Sequence, residues 1–171
     1  MGRPRYGCPR RFCTSLSVPT VDCGFRPDAG LAGADLLVIR GPTLDVQVGF
    51  DPGFAPRNGS RPGLDVRLFP ALVDTGAQES CIDASLAAEL NLPIVEQATV
   101  AGAHGSGVLD LYLAQIHVPA LEFTVAGRFA GVHLAAGQQA HRALIGRTFL
   151  RWFSMRYEGR TGAVVLTSDP E

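Results

Sequence analysis

Ala71-Leu72-Val73-Asp74-Thr75-Gly76-Ala77 closes an apolar run with an acid, a hydroxyl and two small residues. The run reads as a strand, and a strand rarely ends in a buried acid, because an unpaired buried charge is costly. An acid held there needs a partner, and a second carboxylate sharing one proton with it is such a partner. Two carboxyl groups about 3 Å apart cannot both ionise, so the pair holds an acid and a base together. That combination activates a water and protonates a leaving nitrogen. Gly76 lets the backbone bend tightly, Thr75 offers a hydroxyl to lock the loop, and Ala77 leaves space beside it. The chain has no second Asp-Thr-Gly or Asp-Ser-Gly; Arg160-Thr161-Gly162 is the nearest echo and lacks the acid. A twin for Asp74 must therefore come from another copy of the chain.

Outward from this loop the chain reads as strands with two short helices. Leu36-Leu37-Val38-Ile39-Arg40 and Leu44 to Phe50 read as strands split by Gly41-Pro42, and the second alternates. Asp51 to Gly63 is a loop, punctuated by Pro52, Pro56, Pro62, Gly53 and Gly59, and a strand from about Leu64 enters the Asp74 turn. Ile82 to Leu92 has helical spacing, with Asp83 or Ser80 able to cap it and Pro93 to end it. Gly102-Ala103-His104-Gly105-Ser106-Gly107 has the composition of a hairpin tip. Leu109, Leu111, Leu113, Ile116 and Val118 alternate with one slip, and Leu121–Val125 and Gly131–Leu134 are further strands. Gly146 to Trp152 reads as a short helix, and Phe153–Tyr157 with Ala163–Leu166 as a closing hairpin. Residues 1–33 read as a flexible leader and 34–171 as one folded domain.

A hydrophobic fraction of 46% and a net charge of −1 over 171 residues fit a single globular domain with a modest core. All basic residues are Arg, gathered loosely at both ends and without interleaved aromatics, so no nucleic-acid partner is expected. No apolar run approaches the ~18 residues of a membrane span, and the first thirty residues hold no apolar signal core. The spacing of Cys8, Cys13, Cys23 and Cys81 matches no zinc pattern, so reduced thiols and a cytoplasmic setting are the default. His104, His117, His133 and His141 likewise form no metal-ligand spacing; neither metal nor cofactor is expected.

Three segments in order resemble the retropepsin-like aspartic proteases, in their bacterial single-domain branch. They are Asp74-Thr75-Gly76-Ala77 on its strand, the Gly102 to Gly107 segment in the place of a flap, and Ala143-Leu144-Ile145-Gly146-Arg147-Thr148-Phe149-Leu150. The last is similar to the apolar-apolar-Gly-Arg stretch, here Leu144, Ile145, Gly146 and Arg147, that crosses behind the catalytic loop and opens a helix. The resemblance spans roughly Leu36 to Leu166. It implies an all-β fold, a closed β-barrel with one or two short helices, working as a homodimer. It implies one site on the two-fold axis, with Asp74 from each chain as the catalytic pair, hydrolysing peptide bonds of a polypeptide substrate. Thr75 and Gly76 would support the catalytic loop, Thr75 by bonding across the two chains. Gly76, Ala77, Gln78, Gly102, Ala103, His104 and Gly105 would bind substrate, the last four in a flap that excludes water. Viral members carry an acid soon after the Ala and pair it with the Arg of the second motif. Here Gln78 stands there, followed by Glu79, and Thr148 replaces a common Asp or Asn.

Other readings stand beside this one. Asp74 alone could cap an ordinary turn. The glycine-rich tip could be a phosphate loop, but it lacks the Lys and the following helix of one. Cys81 reads as a small buried hydrophobe, and Trp152 with Phe153 as core or interface packing. The leader reads as a solvated tail or a removable pro-segment. At the level of function, the alternatives are a catalytically silent peptide-binding or dimerisation module, and a zinc or nucleotide hydrolase.

Overall fold

Short alternating apolar runs bounded by Gly and Pro favour strands that bury one face. The computed structural model describes residues 18–56, 61–102 and 105–168. In chain order it holds β1 (Thr20–Asp22), α1 (Gly33–Arg40), β2 (Thr43–Gly49), β3 (Phe69–Val73), β4 (Cys81–Asp83) and α2 (Ala84–Glu89). There follow β5 (Ile94–Gly102), β6 (Gly105–Val118), β7 (Phe123–Val132), β8 (Ala143–Ile145), α3 (Arg147–Leu150), β9 (Phe153–Glu158) and β10 (Ala163–Ser168). No described helix is long and apolar enough to cross a membrane.

The strands β2-β3-β8-β4-β7-β6 pair in that order, and β6 returns to β2 through Gln47 opposite His117 and Val48 opposite Ile116. The sheet thus closes on itself, a barrel that removes its own edges. Its interior holds Leu44, Val46, Val48, Val73, Ile82, Ile116, Val118 and Ile145, each at most 4% exposed. β5 lies outside the ring, on the first half of β6, and forms with it a long hairpin ending at Gly102 opposite Gly105. A second sheet, β1-β10-β9, is joined to the barrel through Cys23. The Cys23 N–H donates to Val164 O at 2.7 Å, and its carbonyl accepts from Thr43 N–H at 2.8 Å. Phe149 stacks on Phe153, with rings 5.0 Å apart, and Phe123 meets both edge-on.

Five readings of the sequence are corrected. Leu36–Ile39 is helical, because a short apolar run does not distinguish helix from strand. Leu36 and Leu37 are buried while Val38 and Ile39 face solvent. Asp35 in the first turn and Arg40 in the last suit the helix dipole, and Gly41 at φ +69° ends the helix with its N–H on Leu37 O. The leader boundary at 33 also moves: β1 pairs antiparallel with β10, Val21 opposite Leu166, so residues from Thr20 belong to the fold. The strand expected from Leu64 starts only at Phe69. Asp51 explains the loop before it, taking the N–H groups of Gly53 and Gly63 on its two carboxylate oxygens at 2.8 Å each.

Finally, β6 buries Tyr112, Ala114, Ile116 and Val118 rather than the leucines at 109, 111 and 113, which are half-buried. On one edge the strand serves two partners, β5 at its start and β2 at its end, while β7 lines its other edge, so its apolar pattern mixes environments. Gln115 and His117 are buried on its other face with polar partners. The Gln115 amide bonds the Asp51 backbone N–H and carbonyl, and His117 Nδ1 meets Thr124 Oγ1 at 2.8 Å. The strands expected at Leu121–Val125 and Gly131–Leu134 are largely one, β7, with Leu121 in a 3₁₀ turn before it.

Candidate active site

β3 and β8 run parallel, Val73 beside Ile145, and deliver Asp74 and Gly146 to the same end of the barrel. The Asp74 N–H extends the ladder by donating to Ile145 O at 3.0 Å. The chain then turns, and the Gly76 N–H donates to Asp74 Oδ1 at 2.7 Å, fixing the carboxylate orientation from within its own loop. Thr75 and Gly76 are exposed, and Asp74 is half-buried. The loop therefore presents its acid and hydroxyl at an open surface of the single chain.

The second motif clamps the loop from behind. Arg147 Nη1 donates to Thr75 O at 2.8 Å and to Gly76 O at 2.9 Å, and the Arg147 N–H donates to Ala77 O at 3.0 Å. The Thr148 N–H donates to Gln78 O at 3.0 Å. These bonds require α3 to begin against the loop backbone, which only a glycine at 146 permits. A Cβ there would stand 2.5 Å from Glu79 O. The Gly146 N–H finds the buried Ser80 Oγ at 3.0 Å. This role of Ser80 was missed in the sequence, where it reads only as a possible helix cap. Its one signal is a hydroxyl followed at once by apolar Cys81 and Ile82. Asp83, not Ser80, caps α2, accepting from the Ser85 and Leu86 N–H groups.

Arg147 thus takes two main-chain carbonyls in place of the acid that Gln78 replaces. Thr148 uses its backbone N–H, so the change from Asp or Asn leaves that contact intact. Burial, then the neighbouring Asp74 carboxylate, push the Cys81 thiol up to about 12, which makes it a packing residue rather than a nucleophile. Burial works to raise the Asp83 carboxyl, but hydrogen bonds from Ala135, Ser85 and Leu86 and the Arg142 charge outweigh it and hold it below the usual range. Of the other expected site residues, Gly102 and Gly105 pair at the end of the β5–β6 hairpin, while Ala103 and His104 lie outside the described residues. Leu144 and Ile145 form β8. Among the described residues, no three His, Cys, Asp or Glu side chains gather as a metal-ligand set.

The family model described as gag-polyprotein putative aspartyl protease matches residues 65–152, just over half of the chain. The chain belongs to this aspartyl protease family. The match contains the Asp74 loop, the hairpin and the Gly146-Arg147 motif. Among solved structures, a retropepsin-like aspartic protease from Rickettsia conorii is 13% identical, with 88% of this chain and 92% of that one covered and a TM-score of 0.46. The simian foamy virus (mac) protease is 13% identical, covering 64% of this chain and 92% of its own, at TM-score 0.41. The EIAV protease in complex with an inhibitor is 16% identical, covering 64% and 85%, at TM-score 0.40. No curated protein matches the chain.

Proposed function

We propose that this aspartyl protease family member is an endopeptidase that works as a homodimer, with Asp74 of each chain forming one acid–base pair. The observation that carries the reading is the loop itself. Asp74 stands at a solvent-facing surface with its carboxylate oriented by Gly76 N–H, and the backbone behind it is clamped by Arg147. A rigid carboxylate with an open front is half of a site, and a two-fold axis supplies the other half with the same geometry.

In that pair one carboxylate takes a proton from water as it attacks the scissile carbonyl, and the protonated partner bonds the carbonyl oxygen. The amide nitrogen then leaves with a proton from the pair, which returns to its one-proton state. The exposed Gly76 would bond an extended substrate main chain as an added strand. The β5–β6 hairpin, whose described strands end at Gly102 and Gly105, would close over the peptide and exclude water.

Cleavage of a peptide library by the full chain tests this, with Asp74→Asn as the control. Wild type should cut and be fastest in mildly acidic solution, because the pair needs one proton. Full activity in Asp74→Asn would end the mechanism. A folded, peptide-binding wild type that cuts nothing would favour the silent module instead. The clamped loop argues for the enzyme, since the Gln78 and Thr148 changes leave it held.

A further inference from the structure

Asp74 is held at two points. Its carboxylate accepts from the Gly76 N–H within the loop, and its own main-chain N–H donates to Ile145 O at 3.0 Å. That carbonyl belongs to the same peptide unit as the Gly146 N–H, which donates to Ser80 Oγ at 3.0 Å. A trans peptide unit is a rigid plane whose carbonyl and N–H point in opposite directions. The unit joining Ile145 to Gly146 is therefore pinned at both ends, by Asp74 where the acid loop begins and by Ser80 where it ends.

The strands explain why a side chain is needed there. β8 lies between β3 and β4, and its pairing with β4 covers Cys81 opposite Leu144 and Ile82 opposite Ala143. Beyond that pairing the chain has left the ladder to build the loop, and the Gly146 N–H turns to the Ser80 hydroxyl instead of a strand carbonyl. The next two donors, the Arg147 and Thr148 N–H groups, take the carbonyls of Ala77 and Gln78, which any residue would supply. Of these three main-chain donors, only that of Gly146 depends on which side chain faces it. Ser80 is buried, and it takes no share in capping α2, which falls to Asp83.

We infer that Ser80 is a positioning residue for Asp74, acting through the peptide unit between Ile145 and Gly146. The role rests on the paired-Asp74 reading proposed above. With the hydroxyl in place the N–H is satisfied and the peptide plane is fixed. Its carbonyl, polarised by the bond at the far end of the unit, then holds the Asp74 N–H. Without the hydroxyl a buried N–H is left unpaired, and the plane tilts toward another acceptor. The Ile145 carbonyl turns with it, Asp74 follows, and the two carboxylates no longer meet at the spacing that makes them share one proton.

Peptide hydrolysis from about pH 3 to 8 by the full chain, Ser80→Ala and Ser80→Thr tests this. Each protein is assayed where its solution mass shows the dimer and its urea midpoint shows it folded. Ser80→Ala should lower kcat on the order of tenfold while KM changes less than about twofold. Its bell-shaped rate profile should also narrow by about half a pH unit or more, because carboxylates moved apart titrate closer together. Ser80→Thr keeps the hydroxyl and should retain at least about a third of the wild-type kcat. Should Ser80→Ala not fold, Ser80→Cys keeps the volume with a weaker acceptor and is expected to show the same loss and narrowing. A kcat within about twofold of wild type in the Ala or Cys variant overturns the proposal. So does a lowered kcat with a profile of unchanged width, or a folded Ser80→Thr that recovers nothing, since either marks a hydroxyl that only supports the fold. A wild type that cuts no peptide instead ends the paired-Asp74 reading, and the role of Ser80 with it.

Discussion

At Gly146 the backbone of α3 and that of the Asp74 loop approach so closely that a Cβ has no room, 2.5 Å from Glu79 O. Gly146→Ala should therefore force the two segments apart and destabilise the chain by about 1–3 kcal/mol, the usual cost of overpacking. A lowered urea midpoint measures it; an unchanged midpoint would show that the clamp has slack. Arg147 acts on the same loop through its side chain. Arg147→Gln should leave a folded protein whose kcat/KM falls on the order of tenfold or more, because a loosened acid spends less time in register. These are contacts that sequence reading locates only in part. The Gly-Arg pair was legible as a motif, but its partners were not, since Thr75 O and Gly76 O are main-chain atoms with no side-chain signature. Ser80 was illegible for a related reason: a single buried hydroxyl looks like any other serine until the N–H it satisfies is known.

Among the elements, those with a clean period were legible and those serving two masters were not. β2 alternates from Leu44 to Val48 and is a strand; β9 and β10 form the hairpin expected around Glu158–Gly162. β6 changes partner along its length, and its leucines mark the hairpin rather than the barrel interior. The Leu36–Ile39 run failed because four adjacent apolar residues fit either period, and the Gly41 cap was read as a loop between strands. β1 was hidden in a stretch rich in Pro, Gly and Arg, where three residues of pairing carry little pattern. Its place in the fold makes a prediction. Removing residues 1–24 deletes β1 and the Cys23 peptide that ties β10 to β2, so the truncated chain should show a clearly lower urea midpoint than the full one. Equal midpoints would return residues 20–24 to the status of a leader. Asp83→Ala should also be costly, more than the ~1 kcal/mol of an ordinary helix cap, because the same carboxylate holds Ala135 N–H and faces Arg142.

For the whole molecule, the pH that favours the proposed chemistry opposes the pH that favours the fold. Burial holds His117 and His141 below the usual histidine value, with the Arg61 charge adding to the effect at His117. The unfolded chain then binds more protons than the folded one as pH falls below about 6.5, so stability is full above that value and declines beneath it. Asp51, held low by Gly63 and Gly53, and Glu89, held low by Arg67, extend the loss as pH drops through the carboxylate range. Urea midpoints should rise steadily from pH 3 to about pH 7; a maximum near pH 4 would contradict the assignment. The barrel, the loop and the family were thus readable from one chain, whereas the completeness of the site depends on a second copy. Mixing subunits tests that dependence most directly. Wild type incubated with an equal amount of Asp74→Asn, long enough to exchange, should retain about a quarter of its expected peptidase activity per total protein, because only dimers with two intact acids cut. Retention of about one half would mean that each chain carries its own complete site, and the paired-Asp74 account would be wrong.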